Sequence, residues 1–174
     1  MTTRGSTRRR NHKRSDPLSP MLPPKDVLRD RISRIIGATR FPFIDQTTWD
    51  EGRRTIVNTS RERNYAIEGP KGEIYPSVVV LQPDGSIREI GEVEMEITPE
   101  LVVKWRLLSE TTGMGDRFKK LFIYVPASGG ERASRLLEEN GIEYAGLREW
   151  SIVDGVLVTR PVKTPDMDYD HRVS

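Results

Sequence analysis

Short strand-like runs joined by tight turns constrain this chain more than any other feature. Val78-Val79-Val80-Leu81 is an unbroken apolar run, the pattern of a strand covered on both faces. Pro83-Asp84-Gly85 follows, with proline at the first central turn position and Asp-Gly behind it. The chain then enters a longer strand over residues 87–97. Upstream, strand-like residues 64–68 and 74–81 flank Gly69-Pro70-Lys71-Gly72, which reads as a hairpin. Strands joined this tightly pair antiparallel, so the expected centre of the domain is a three-stranded antiparallel unit.

Helical patterns bracket that unit. Val27, Leu28, Ile32, Ile35 and Ile36 predict a helix over residues 25–36, with Gly37 at its C-terminal cap. Residues 38–62 are ambiguous; 49–56 reads as a short helix capped by Thr48, with Asp50 and Glu51 in its first turn. Thr98-Pro99 opens the next helix, whose core face is Leu101, Trp105 and Leu108. After a polar loop at 111–117 come a buried strand at 121–125 and a capping box at Ser128-Gly129-Gly130-Glu131. The helix that follows turns Ala133, Leu136 and Leu137 inward and ends at Asn140-Gly141. A fifth strand over 144–150 and a hairpin at Val153-Asp154-Gly155 complete the pattern. The strand–helix–strand units should extend the sheet in parallel. The expected class is α/β: a mixed sheet ordered helix, three strands, helix, strand, helix, strand, with helices on both faces.

Charge divides the chain into parts. Residues 1–24 hold Arg4, Arg8, Arg9, Arg10, Lys13 and Arg14 against Asp16 alone, a net of +5. Of 28 basic and 26 acidic residues, 22 and 25 remain for the rest, which is therefore acidic by three. The net of +2 thus belongs to a leader too polar to offset the entropy of ordering. Residues 1–24 read as a disordered basic arm and proline-rich linker, 25–160 as the domain, and 161–174 as a disordered tail.

The chain has no cysteine, and its two histidines, His12 and His171, lie near the ends. Thiolate nucleophiles, Fe–S clusters and cysteine-type zinc sites are excluded, and a zinc centre or Ser-His triad loses its central residue. Gly113-Met114-Gly115 lacks a third glycine and follows a helix, so no nucleotide cofactor is expected. No run approaches the roughly 18 apolar residues of a membrane span. The arm lacks an apolar core and carries four prolines, against a secretory or transit signal. The expected location is cytoplasmic, and a homo-oligomer is left open.

The segment from Arg88 to Ile97 holds the candidate chemistry. Alternate residues of a strand share a face, so Gly91, Val93, Met95 and Ile97 read as core, and Glu92, Glu94 and Glu96 as the opposite face. Adjacent carboxylates there stand roughly 6.6–6.8 Å apart at Cα. At an effective dielectric near 20 they repel by on the order of 2 kcal/mol. Such a face is stable if it is wet, if cations pair with it, or if it holds a metal that prefers oxygen.

Tyr75-Pro76-Ser77-Val78-Val79-Val80-Leu81 and Gly91-Glu92-Val93-Glu94 resemble the Pro-Asp strand and the Glu-x-Lys strand of the PD-(D/E)XK nuclease superfamily. The element order over residues 25–150 is similar as well. The resemblance implies a restriction-endonuclease-like fold and metal-dependent phosphodiester hydrolysis of nucleic acid, with Mg²⁺ or Mn²⁺ as cofactor. Carried over position by position, it implies catalytic roles for Glu92, Glu94, Lys104 and Ser77, and metal ligation by Glu92 and Glu94. Ser77 stands where the superfamily has its metal-binding aspartate, and Glu94 where it has its lysine. Lys104, on the following helix, is the candidate replacement lysine, and Glu68, or Glu62, the candidate source of the missing carboxylate. Arg8, Arg9, Arg10, Lys13 and Arg14 would add phosphate affinity from the arm, and Arg53, Arg54, Arg61 and Arg63 could contact phosphates from the body. The alternatives are a catalytically inactive module of the same fold acting in nucleic-acid or protein binding, and an α/β interaction protein whose acidic strand is a wet surface.

Overall fold

The computed structural model describes residues 23–39, 52–112 and 120–164. The basic arm, residues 40–51, most of the loop expected at 111–117 and the end of the tail lie outside the described residues.

Helix α1 (Lys25–Thr39) turns Leu28, Ile32 and Ile36 inward at helical spacing. It runs through Gly37, which is not its cap. Burying Ile32 and Ile36 contributes on the order of 3–6 kcal/mol, against roughly 1 kcal/mol for glycine inside a helix. A Cβ on Gly37 would stand 2.6 Å from Val57 Cγ2, so the glycine lets α1 approach the sheet closely.

The short helix expected at 49–56 gives way to strand β1 (Arg54–Val57), whose Thr55, Ile56 and Val57 are β-branched. The hairpin at Gly69–Gly72 forms, but as a separate two-stranded sheet of β2 (Ile67–Gly69) and β3 (Gly72–Ile74). Strand β4 (Val78–Leu81) starts afresh after Pro76, which has no N–H for a ladder. The meander is therefore β1–β4–β5, not the run that begins at residue 64. Between β4 and β5 (Ile87–Val93), Gly85 N–H donates to Gln82 O at 2.9 Å with φ +86°, the turn that Pro83-Asp84-Gly85 implies.

Helix α2 (Leu101–Thr112) carries the chain to β6 (Leu121–Pro126), parallel to β5, and α3 (Gly130–Glu139) carries it to β7 (Gly146–Val153), parallel to β6. The capping box before α3 does not form. Ser128 has φ +75° and Gly129 caps without a side chain; Gly130 N–H instead donates to Glu149 Oε1 on β7 at 3.0 Å. Asp154 (φ +50°) and Gly155 (φ +77°) make the expected hairpin turn into β8 (Val156–Lys163). That strand continues past the boundary at residue 160 that the sequence suggested.

The six strands lie in the order β1-β4-β5-β6-β7-β8. On one face α1 packs on Val78, Val80, Val93, Tyr124 and Trp150. On the other, Trp105 and Leu108 of α2 and Ala133 and Leu137 of α3 pack on Ile90, Leu121, Ile123, Val125 and Leu147. The protein is α/β, with a mixed sheet between three described helices. No described helix is long and apolar enough to cross a membrane.

Candidate functional site

The two-layer cover decides what the acidic strand becomes. Glu92 and Glu94 are both buried, so of the three ways such a face can be stable, wetting does not apply to them. The alternation also breaks, because β5 ends at Val93. Val93 then packs under α1 while Ile97 packs with α2 and α3, so they do not share a face. Only Glu96 stays at the surface, where it pairs with Lys25.

Glu92 and Glu94 point into a polar cluster at the ends of β4 and β5. Ser77 N–H donates to Glu92 Oε2 at 2.8 Å, and Ser77 Oγ accepts from Val93 N–H at 3.0 Å. Lys104, on the first turn of α2, reaches Glu92 Oε1 at 3.1 Å and Glu94 Oε1 at 2.6 Å. Trp105 Nε1 donates to Glu94 Oε1 at 2.8 Å, and Trp150 Nε1 to the Glu94 carbonyl at 3.0 Å. The structure thus brings Ser77, Glu92, Glu94 and Lys104 together.

Glu68 is elsewhere. It is exposed on β2, facing Glu73 across the hairpin. Glu62 is exposed and pairs with Arg34 at 3.7 Å. Among the described residues no group of three His, Cys, Asp or Glu is placed to hold a metal. Of the body arginines, Arg53 donates to Gln82 Oε1 at 3.0 Å and Arg63 lies over the Tyr75 ring at 5.2 Å.

Two residues escaped the sequence reading. Arg29 of α1 donates to Ser77 Oγ at 2.9 Å and pairs with Glu92 Oε1 at 3.5 Å. Its one signal was position: it follows Leu28 and precedes Ile32 by three, on the flank of the buried stripe, where a long side chain lies along the apolar surface. Asn58, just after β1, is buried with four side-chain bonds. Its Nδ2 donates to Tyr65 O (2.9 Å) and Pro76 O (2.7 Å), and its Oδ1 accepts from the N–H groups of Asn64 (2.8 Å) and Tyr65 (3.0 Å). Asn58 N–H donates to Ser77 O at 3.1 Å, so this residue sets the backbone of Ser77. No local pattern marks it.

Burial pushes the Glu94 carboxyl up; the Lys104 charge opposes this and the Glu92 charge adds to it. For Lys104, burial alone would favour the neutral amine, but Glu92 and Glu94 more than offset that and hold the ammonium above its ordinary range. The side chains of Arg29 and Lys104 are 26% and 24% exposed, those of Glu92 and Glu94 2% and 7%, so the cations cover the carboxylates. The formal charges of Arg29, Lys104, Glu92 and Glu94 sum to zero. A hard divalent cation needs oxygen ligands with uncompensated negative charge. This arrangement does not fit a resident Mg²⁺ or Mn²⁺, because Oε1 of Glu92 and Oε1 of Glu94 are already paired with cationic nitrogens of Lys104 and Arg29.

A scan against protein-family models, a search of the curated proteins and a search of the solved structures each found no match.

Proposed function

We propose that this chain is a restriction-endonuclease-like module of the cytoplasm that binds nucleic acid without hydrolysing it. The observation that carries the reading is the neutralised cluster: Glu92 and Glu94 are engaged by Lys104, Arg29, Ser77 and Trp105. Metal-assisted phosphodiester hydrolysis needs carboxylates free to hold the ion. The meander β1–β4–β5 between α1 and α2, followed by parallel β6, supports the likeness to the PD-(D/E)XK fold; serine at position 77 supports the loss of its chemistry. Affinity comes from the arm, whose Arg8, Arg9, Arg10, Lys13 and Arg14 meet phosphates, since the body is net acidic.

The test uses the full chain with plasmid and single-stranded DNA in Mg²⁺ and in Mn²⁺, beside Glu92→Ala. Expected are binding by fluorescence anisotropy and no metal-dependent cleavage. Deleting residues 1–24 should flatten the slope of log K against log salt by up to about 5 on duplex DNA, some 0.9 per neutralised phosphate. Metal-dependent cleavage that Glu92→Ala abolishes would restore the hydrolase reading. Absence of DNA binding by the full chain would overturn the binding role.

A further inference from the structure

A single nitrogen, Nη2 of Arg29, stands between Ser77 Oγ (2.9 Å) and Glu92 Oε1 (3.5 Å). Both oxygens are fixed from behind. Val93 N–H holds the Ser77 hydroxyl and Ser77 N–H holds the other oxygen of Glu92. Whatever lies between them therefore meets two oriented acceptors, one at the start of β4 and one near the end of β5. The arginine is equally fixed. Leu28 and Ile32, on either side of it in α1, are buried under the sheet. Asp30 accepts from Ser60 N–H (2.9 Å) and Ser60 Oγ (2.6 Å), and Lys25 pairs with Glu96. The Asp30–Ser60 and Lys25–Glu96 contacts thus hold α1 on both sides of Arg29 and place its Cα beside Ser77 and Glu92.

We propose that Arg29 is this chain's own substitute for a divalent cation, a guanidinium that bridges the β4 and β5 oxygens and closes a latent site for a hard, oxygen-preferring ion. The inference deepens the non-hydrolytic reading of the cluster and rests on it. Charge bookkeeping defines how the site opens. The set Arg29, Lys104, Glu92 and Glu94 is formally neutral. Ser77→Asp makes it −1, but the new carboxylate faces Arg29 and is paired there. Arg29→Met alone also gives −1, with one carboxylate and one hydroxyl at the vacated position. Ser77→Asp with Arg29→Met gives −2, the charge that a divalent cation neutralises, with two carboxylates flanking the place of Nη2.

The experiment counts bound Mn²⁺ by electron paramagnetic resonance and follows Tm with Mn²⁺ or EDTA for the wild type, both single variants and the double variant. The wild type and Ser77→Asp should bind no Mn²⁺ saturably up to about 1 mM. The double variant should bind one Mn²⁺ per chain. At ten times its Kd its Tm should rise by about 3–6 °C, and Glu92→Gln in that background should abolish the rise. If the double variant is unfolded in EDTA, recovery of its circular dichroism on adding Mn²⁺ supports the proposal and failure to recover overturns it. Stoichiometric Mn²⁺ binding by the wild type overturns it too, as does a folded double variant that binds none. These outcomes separate from the functional reading, which stands or falls on DNA binding and cleavage by the wild type.

Discussion

Lys104→Met removes the cation that touches both buried carboxylates and leaves an unbranched apolar side chain in its place. Glu92 would keep Arg29 at 3.5 Å and the Ser77 N–H, while Glu94 would keep the Trp105 N–H as its donor. Removing one partner of a buried pair costs roughly 3–5 kcal/mol. Lys104 is a quarter exposed, which sets the expectation at the lower end, about 3 kcal/mol, or a Tm loss of about 6–12 °C for a chain of this size. The sign of the pH dependence follows from Glu94. Burial already raises its carboxyl and Lys104 restrains that rise, so the variant should raise it further. A carboxylate raised on folding stabilises the fold below its unfolded pKa, and that contribution is lost as pH rises through the folded pKa. The deficit of Lys104→Met should therefore be largest at high pH and shrink as pH falls and Glu94 is protonated. Lys104 is itself raised, so its contribution in the wild type is intact between pH 5 and pH 8 and is lost only as pH climbs through a value above the ordinary lysine range. Urea unfolding at pH 8 and pH 5 measures this, with Lys104→Met/Glu94→Gln expected to recover part of the loss and to remove its pH dependence. A deficit under about 1 kcal/mol at both pH values, the size of an exposed pair, would refute a dry and paired cluster.

Asn58→Ala should cost about 2–3 kcal/mol in urea unfolding, because the buried Pro76 carbonyl and the part-buried backbone groups of Asn64 and Tyr65 lose their partner. Asn58→Asp should not rescue it, since the carbonyls of Tyr65 and Pro76 need the Nδ2 donor. Gly130→Ala places a methyl 2.7 Å from Glu149 Oε1 and 2.8 Å from Val162 Cγ2, so a Tm loss equivalent to about 1–3 kcal/mol is expected. Glu149→Gln should flatten the acid limb of the stability curve. The Arg160 hydrogen bond first, and the Gly130 N–H with it, hold Glu149 below the usual carboxylate range, so its contribution is present above the unfolded pKa and lost as pH falls through the folded one.

Local chemistry made the turns legible. Pro83-Asp84-Gly85, Asp154-Gly155, Thr98-Pro99 and Asn140-Gly141 specify φ angles or end groups within a few residues, and each lies at an element boundary. What failed was settled at a distance. Strand β1 is four residues, and its identity comes from pairing with Val78–Leu81, more than 20 residues on. Gly37 looked like a cap because glycine often is one, but its reason is Val57 on the neighbouring strand. Ser128 looked like an N-cap, but Glu149 supplies that contact from β7. Spacing put Glu92 and Glu94 together, while the meeting of Ser77 and Lys104 with them was expected only from the resemblance of the two strands to a known motif. Arg29 was not legible, because an arginine on a helix flank has the same local pattern whether it is solvated or bridging.

That asymmetry bears on how an acidic strand is read at all. Two carboxylate oxygens that touch the same Lys104 nitrogen lie within about 6 Å of each other and repel by about 3 kcal/mol or more at an effective dielectric near 20. At 2.6 and 3.1 Å, each attraction to Lys104 is on the order of 5–6 kcal/mol on the same scale, before desolvation takes back most of it. Attraction exceeds repulsion, so the two cations offset the Glu92/Glu94 repulsion without any ion. The acids alone therefore do not say whether such a strand holds a metal. The nearest fixed cations do, and here they come from two helices on opposite faces of the sheet, α1 and α2. Their joint reach to Glu92 ties both helices to the end of β5, so losing either cation should loosen a helix as well as unbalance a charge.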